Sequence, residues 1–116
     1  MTIVIWLAFG LMAIGSFIEI LSFRQVVEIE FTRFHDSWLA DGKPVGGPKS
    51  RRAAPFWRSG FSTQIVLNAW LFVTPAWAKQ SPDAMRHITR GRIGAGMIFL
   101  GIVTLMAVIA VVSVAK

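Results

Sequence analysis

A chain of 116 residues has room for one compact unit, residues 1–116, and no second domain of any size. Apolar residues make up 54% of it and charged residues 16%, against about 25% in soluble domains, which favours a membrane protein. The chain has no cysteine, which excludes disulfides, zinc–thiolate sites, iron–sulfur clusters and thiol catalysis. A net charge of +6 can indicate nucleic acid binding, but in a membrane protein it more often sets orientation and attracts anionic lipid. We therefore expect no nucleic acid partner.

The N-terminal segment, residues 2–23, is predicted to cross a membrane. Glu19 is its one ionisable side chain, and as a helix it is long enough for a hydrocarbon core of about 30 Å. A cleaved signal peptide needs a positive charge before its apolar core and a small-residue cleavage site after it, whereas the first cation here is Arg24. We therefore expect an uncleaved anchor.

The helical pattern continues beyond this span. Residues 24–41 carry an apolar stripe with spacings of four, three and four: Val27, Phe31, Phe34 and Trp38. Gly42 fits a C-terminal cap, and Pro44 prevents continuation. The sequence predicts one helix from about Ile3 to about Asp41, whose stripe is a candidate contact for a partner or for lipid.

Residues 42–55 are predicted to be a basic loop, because they contain three prolines, three glycines and four cations. Arg51 and Arg52 are its candidate contacts. One interpretation is that they bind lipid phosphates or the acidic face of a partner. The other is that they are solvated and serve only to fix the topology.

Residues 56–77 are predicted to form a shorter helix that is interfacial or packed against the others. Trp57 and Phe61 share one helix face. Tryptophans suit the headgroup level, and the segment contains Trp57, Trp70 and Trp77. A full or re-entrant crossing is the alternative, but it would place two basic segments on opposite sides of the membrane.

The last helix has a clear start signal. Ser81 supplies a capping hydroxyl, Pro82 fits the first helical position, and Asp83 lies near the positive end of the helix dipole. We expect this helix to run from Pro82 to Ala115, with residues 78–92 as its cytoplasmic start.

Residues 93–115 form the second predicted span, an uncharged run that reaches about 35 Å as a helix. Eleven of the twelve Lys and Arg residues lie from Arg24 to Arg92, so the positive-inside rule puts that central segment in the cytoplasm and both termini in the periplasm. The predicted fold class is an all-α membrane protein. It is an antiparallel hairpin of two long transmembrane helices extended into the cytoplasm, with the shorter interfacial helix between them.

Small residues indicate where the two spans touch. They recur every seven positions: Ala8, Gly15 and Ser22 in the first span, Gly94 and Gly101 in the last. Such a seam lets helices approach closely in lipid, where no hydrophobic drive brings them together. Packing of the seam against another protein is the alternative.

Glu19 is the single residue with an argument for function, because an intramembrane carboxylate is costly and marks a functional site by default. Its position near the cytoplasmic boundary favours an ion pair with Arg24, or with Arg92 on the neighbouring helix. A proton or ion path is the alternative.

Several short stretches carry a family likeness. Asp41-Gly42 precedes a Pro/Gly-rich loop, and Trp70-Leu71-Phe72 leads through Asp83 and Ile88 to Arg90-Gly91-Arg92, directly before the last span. In this layout the chain resembles the universal stress protein B family, over most of its length in architecture and at few residues in identity. It departs from that family in the uncharged loop of residues 45–48 and in the more apolar residues 56–77. The resemblance implies a small bacterial inner-membrane protein linked to stress, without an established catalytic activity.

No constellation for catalysis, cofactor binding or metal binding is recognisable, so we expect a protein that is not an enzyme and has no cofactor. The sequence favours a non-catalytic accessory subunit that docks on a larger bacterial membrane complex, such as a respiratory or photosynthetic assembly. Anionic phospholipids are the other expected partners, and Arg90, next to the last span, joins the candidate contacts. The alternatives are a free-standing stress-related inner-membrane protein that forms homo-oligomers and, third, a small transporter or holin-like pore.

Overall fold

The computed structural model describes the backbone of residues 1–53 and 61–115, and the side chains of residues 1–53 and 63–115. Over these ranges the chain is helical and contains no strand, which confirms the predicted all-α class. The elements in chain order are α1 (Thr2–Arg33), α2 (His35–Ala40), α3 (Pro48–Ala53), α4 (Phe61–Phe72), a 3-10 helix (Ala76–Gln80) and α5 (Pro82–Ala115).

Two helices, α1 and α5, are long and apolar enough to cross a membrane. Their most apolar 18-residue windows have a mean hydropathy of 2.2 and 2.8. Each helix continues past its apolar run, α1 at its C-terminal end and α5 at its N-terminal end. We call these parts, residues 24–33 and 82–92, the polar extensions.

The two long helices pack in opposite directions. Gly101 lies against the backbone of Ala8, Gly94 against Gly15, and Gly91 against the ring of Phe23. Residue numbers therefore rise along one helix as they fall along the other, and the two polar extensions lie at the same end.

The helix that was expected to continue to Asp41 is interrupted at Phe34, which has φ −129° and ψ 55°. The Phe34 N–H still donates to the carbonyl of Glu30, so the chain changes direction without losing that hydrogen bond. The change lets Trp38 fold back onto α1, where its ring packs edge-on against Phe31 with centroids 4.8 Å apart. In a straight helix the two residues would lie on one face, two turns and about 10 Å apart along the axis, and the bend accompanies their closer contact.

Gly42 ends α2 in the way that its position predicts. It has φ +85°, and the N–H of Lys43 donates to the carbonyl of Trp38 at 2.9 Å, which is the hydrogen bond of a Schellman cap. The following residues were expected to be an irregular loop as far as residue 55, but they form α3 from Pro48 to Ala53. Proline is favoured in a first helical turn, which accounts for the start of α3.

The segment that was expected to be one helix over residues 56–77 is divided. Its first residues lie outside the described part of the chain, and α4 ends at Phe72. Pro75 lies between α4 and the 3-10 helix. Because proline cannot supply the N–H that a continuing helix needs, it accounts for the division. The predicted start of α5 is present: the Ala84 N–H donates to the Ser81 hydroxyl at 3.3 Å.

The apolar core lies around the polar extensions. One cluster of buried side chains joins α1, α4, the 3-10 helix and the first turns of α5: Phe23, Val26, Val27, Trp70, Trp77, Ala78, Ala84 and Ile88. Aromatic contacts run through it, with ring centroids 6.5 Å apart for Phe23 and Trp70, 5.9 Å for Trp70 and Trp77, and 5.1 Å for Phe34 and Trp77.

Candidate functional site

The five small residues of the predicted seam are all buried: Ala8, Gly15, Ser22, Gly94 and Gly101. The glycines of α5 lie against the α1 backbone, Gly94 at Gly15 and Gly101 at Ala8. The seam is therefore filled by the contact between α1 and α5 of this chain, and its residues are not a surface for another protein.

The expected ion pairs of Glu19 with Arg24 or Arg92 are not formed. Within the described residues the salt bridge present joins Arg33 and Asp83, across the polar extensions, at 3.5 Å. Arg24 and Arg92 donate hydrogen bonds to other groups instead.

Arg24 and Arg92 each hold a chain reversal in place. Arg24 donates from Nε to the carbonyl of Gly46 at 3.2 Å. Arg92 donates from Nε to the carbonyl of Trp70 at 3.1 Å and from Nη2 to the Thr74 hydroxyl at 2.9 Å. Carbonyls in the last turn of a helix have no partner within that helix, so Arg92 acts as a cap for the end of α4.

The apolar stripe that was expected to meet a partner is mostly covered within the chain. Val27 is fully buried, and Trp38, Trp70 and Trp77 are at most 7% exposed. Phe31 is half-buried against Trp38, and Phe34 is half-buried against Trp77. The bend at Phe34 and the 3-10 helix fold these side chains onto one another, so they are a core and not a docking face.

Three other candidate contacts are exposed, namely Arg51, Arg52 and Arg90. Trp57 and the side chain of Phe61 lie outside the described residues.

A basic cavity lies where the start of α3 meets α1. Its volume is about 180 Å³, and Arg24, Arg51 and Arg52 line it together with the backbone of residues 46–48. All three arginines were candidate residues in the sequence, but Arg24 was expected to pair with Glu19, and no pattern placed it beside Arg51 and Arg52. The loop is brought to that position by tertiary contacts, among them the hydrogen bonds from Arg24 to Gly46 and from the Ser50 N–H to Glu28.

A polar groove lies between α1 and α4. The described residues that line it include Ser16, Glu19 and Gln64, and its volume is about 240 Å³. The Gln64 side chain donates to the side-chain oxygen of Asn68 at 3.0 Å. Sequence reasoning missed Gln64 and Asn68 as site residues, although two amides four positions apart in an apolar stretch were a signal. The place of Gln64 next to Glu19 depends on the packing of α4.

Glu30 is a second residue that sequence reasoning missed. It is fully buried, and neither of its carboxyl oxygens has a hydrogen-bond partner in the described part of the chain. Burial, and then the nearby Asp41 carboxyl, raise the pKa of Glu30 from 4.5 to about 9. Glu30 is therefore a neutral acid at pH 7. Its spacing from Val26, Val27 and Phe34 places it on the buried face, a signal that the sequence did contain.

No three histidine, aspartate or glutamate side chains come together as a metal-binding group in the described ranges. No protein-family model, curated protein or solved structure matches the chain. The fold therefore defines the class on its own: a small all-helical protein with two helices able to cross a membrane. The resemblance to universal stress protein B stays a prediction.

Proposed function

We propose that this protein is a non-catalytic accessory subunit that docks on a larger bacterial membrane complex through its membrane-spanning helices. In this proposal α1 and α5 form a hairpin across the inner membrane, with both termini in the periplasm. The polar extensions and the core around them lie in the cytoplasm. The positions of the cations support this orientation, because all but one of them lie from Arg24 to Arg92.

The contacts of α4 support an interfacial position for that helix. Gln64 and Leu67 share a groove with residues 16–23 of α1, and Leu71 and Phe72 share another with residues 92–99 of α5. These stretches are the cytoplasmic ends of the two apolar runs. A helix that crossed the membrane would contact the runs along their whole length, whereas α4 lies across one end of both.

The observation that carries the docking proposal is the polar groove between α1 and α4. A carboxyl group within an apolar run costs up to about 2.5–3.5 kcal/mol at the membrane centre. Glu19 lies in such a run and lines an open groove with Ser16 and Gln64. Polar side chains hydrogen-bond between helices in lipid, so a polar group of a partner helix in this groove would stabilise the complex.

The apolar stripe from Val27 to Trp38 is not evidence for a partner, because its side chains pack within the chain. The expected docking surface is therefore the outer face of the spans, which carries large exposed side chains such as Phe17, Phe99 and Ile109. Exposed apolar area alone is what lipid requires, so the groove at Glu19 is what distinguishes a partner from lipid.

The test is extraction of the native membrane in a mild detergent, followed by native electrophoresis and mass spectrometry of the band that contains this chain. We expect co-migration with a large complex for the wild-type chain and loss of co-migration for Glu19→Leu. Thr104→Val is the matched control. It also removes a polar group from a span, but the Thr104 hydroxyl donates to Leu100 within its own helix.

A wild-type chain that migrates alone would refute the accessory-subunit proposal. Migration at a small multiple of its own mass would favour the homo-oligomer in its place. Equal loss of co-migration in both variants would remove the role of the groove, because it would show that any change of polarity in a span disrupts docking.

A further inference from the structure

The basic cavity has the composition of a phosphate-binding site. Three arginine residues line about 180 Å³ of space: Arg24, Arg51 and Arg52. Guanidinium groups bind phosphate oxygens in pairs of parallel hydrogen bonds, which makes arginine the usual residue for this recognition. Arg24 donates from Nε to Gly46, and its two terminal nitrogens make no hydrogen bond within the described residues.

The wall of the cavity is held in place by the carboxylate of Glu28. Glu28 accepts a hydrogen bond from the Ser50 N–H at 3.0 Å, and its side chain lies directly against Gly47. A Cβ atom at residue 47 would overlap the Glu28 side chain, so any residue other than glycine there would have to displace it. The Ser50 hydroxyl accepts the Gly46 N–H at 2.9 Å and donates to the Gly47 carbonyl. These hydrogen bonds fix the loop before any ligand arrives.

We propose that this cavity binds the phosphate group of an anionic phospholipid. The inference rests on the proposed membrane crossing of α1, but it does not depend on docking to a complex. Arg24 directly follows the apolar run of residues 2–23, so the cavity would lie at the depth of the headgroup phosphates of the cytoplasmic leaflet. The leaflet supplies phosphate at this depth continuously, whereas a soluble phosphate must compete with it.

The experiment uses the full purified chain in detergent, titrated separately with phosphatidylglycerol and with phosphatidylcholine of the same acyl chains. Native mass spectrometry measures the bound fraction. We expect preferential binding of phosphatidylglycerol and an affinity about 25-fold lower for the double variant Arg51→Ala/Arg52→Ala, since each of the two cations near an anionic headgroup contributes about a factor of five. Both arginines are exposed, so their removal leaves the core intact.

The matched control is Lys79→Ala/Arg86→Ala, which removes two exposed cations that do not line the cavity. A further variant, Arg51→Lys/Arg52→Lys, keeps the charge but loses the paired geometry, and we expect it to bind several-fold less tightly than the wild type.

Equal weakening in the alanine variant and in the control would overturn the proposal, because it would show a general attraction of cations to lipid. Inorganic phosphate and glycerol phosphate are added as competitors. Displacement of phosphatidylglycerol by either of them at equal concentration would overturn the lipid as the source of the phosphate. The measurement is made on the isolated chain, so loss of docking through Glu19 and loss of lipid binding are separate results.

Discussion

Gly15 and Gly94 meet backbone to backbone. A Cβ atom on Gly15 would lie 2.5 Å from the carbonyl oxygen of Gly94, and one on Gly94 would lie 2.6 Å from the carbonyl oxygen of Gly15. Backbone atoms cannot rotate away as a flexible side chain can, so an added methyl group must push α1 and α5 apart. We predict that Gly94→Ala lowers the thermal unfolding midpoint in detergent, by the equivalent of about 1–3 kcal/mol.

Gly96→Ala is the control for this substitution. Gly96 lies two positions further along the same helix, and an added Cβ would meet nothing within 4 Å. Both changes gain the same helix propensity, so only the contact with α1 differs between them. If the two variants unfold at the same temperature, Gly94 does not form a close helix contact.

Arg92 is predicted to hold α4 against α5. Arg92→Ala removes its hydrogen bonds to the Trp70 carbonyl and the Thr74 hydroxyl and leaves the end of α4 uncapped. We expect faster amide hydrogen exchange in α4 than in the wild type, because the loss of bonds to a charged donor costs about 1.5–3 kcal/mol. Arg90→Ala is the comparison, since Arg90 is exposed on the same helix. Exchange in α4 that rises equally in both variants would indicate a general effect of charge.

The features that the sequence predicted correctly depend on local pattern. The Ser81 cap and the Gly42 cap are set by a few consecutive residues, and a seven-residue repeat of small side chains is visible in the sequence of a helix. The bend at Phe34 is different, because no proline or glycine marks it and Trp38 favours it through a contact with Phe31.

The candidate site was harder to predict because its residues compete for partners. An ion pair of Glu19 with Arg24 or Arg92 satisfies the rules of charge and depth. In the structure both arginines instead donate hydrogen bonds to backbone carbonyls at chain reversals. Those reversals are known only once residues 42–53 and α4 are packed.

Trp38 is predicted to fix the residues that follow α2. Its ring is 1% exposed, and its Nε1–H donates to the Pro44 carbonyl at 2.8 Å. Trp38→Phe keeps most of the packing but leaves that buried carbonyl without a donor, at a cost of about 1–3 kcal/mol. We expect faster tryptic cleavage in the basic segment of residues 42–53. Trp6→Phe, at a tryptophan that is 71% exposed, serves as the control, and equal cleavage of the two variants would contradict the role of the hydrogen bond.

Glu30 is predicted to make stability depend on pH in the direction opposite to that of a salt-bridged carboxylate. Its pKa is raised from 4.5 to about 9 by burial and by Asp41. Between these values the unfolded chain releases the proton and the folded chain keeps it, so stability falls as the pH rises. The full contribution of protonated Glu30 to the free energy of unfolding is present below pH 4.5. It is lost as the pH rises through the folded pKa, at up to about 1.4 kcal/mol per pH unit.

Glu30→Gln removes this proton release and keeps the shape of the side chain. We expect the variant to be more stable than the wild type at about pH 8, with a difference that shrinks towards about pH 5, as measured by denaturant unfolding across that range. Asp36→Asn removes an exposed carboxyl from the neighbouring helix and corrects for the change in net charge. A difference between wild type and Glu30→Gln that is constant with pH would mean that the folded and unfolded chains ionise Glu30 alike, and it would contradict the raised pKa of Glu30.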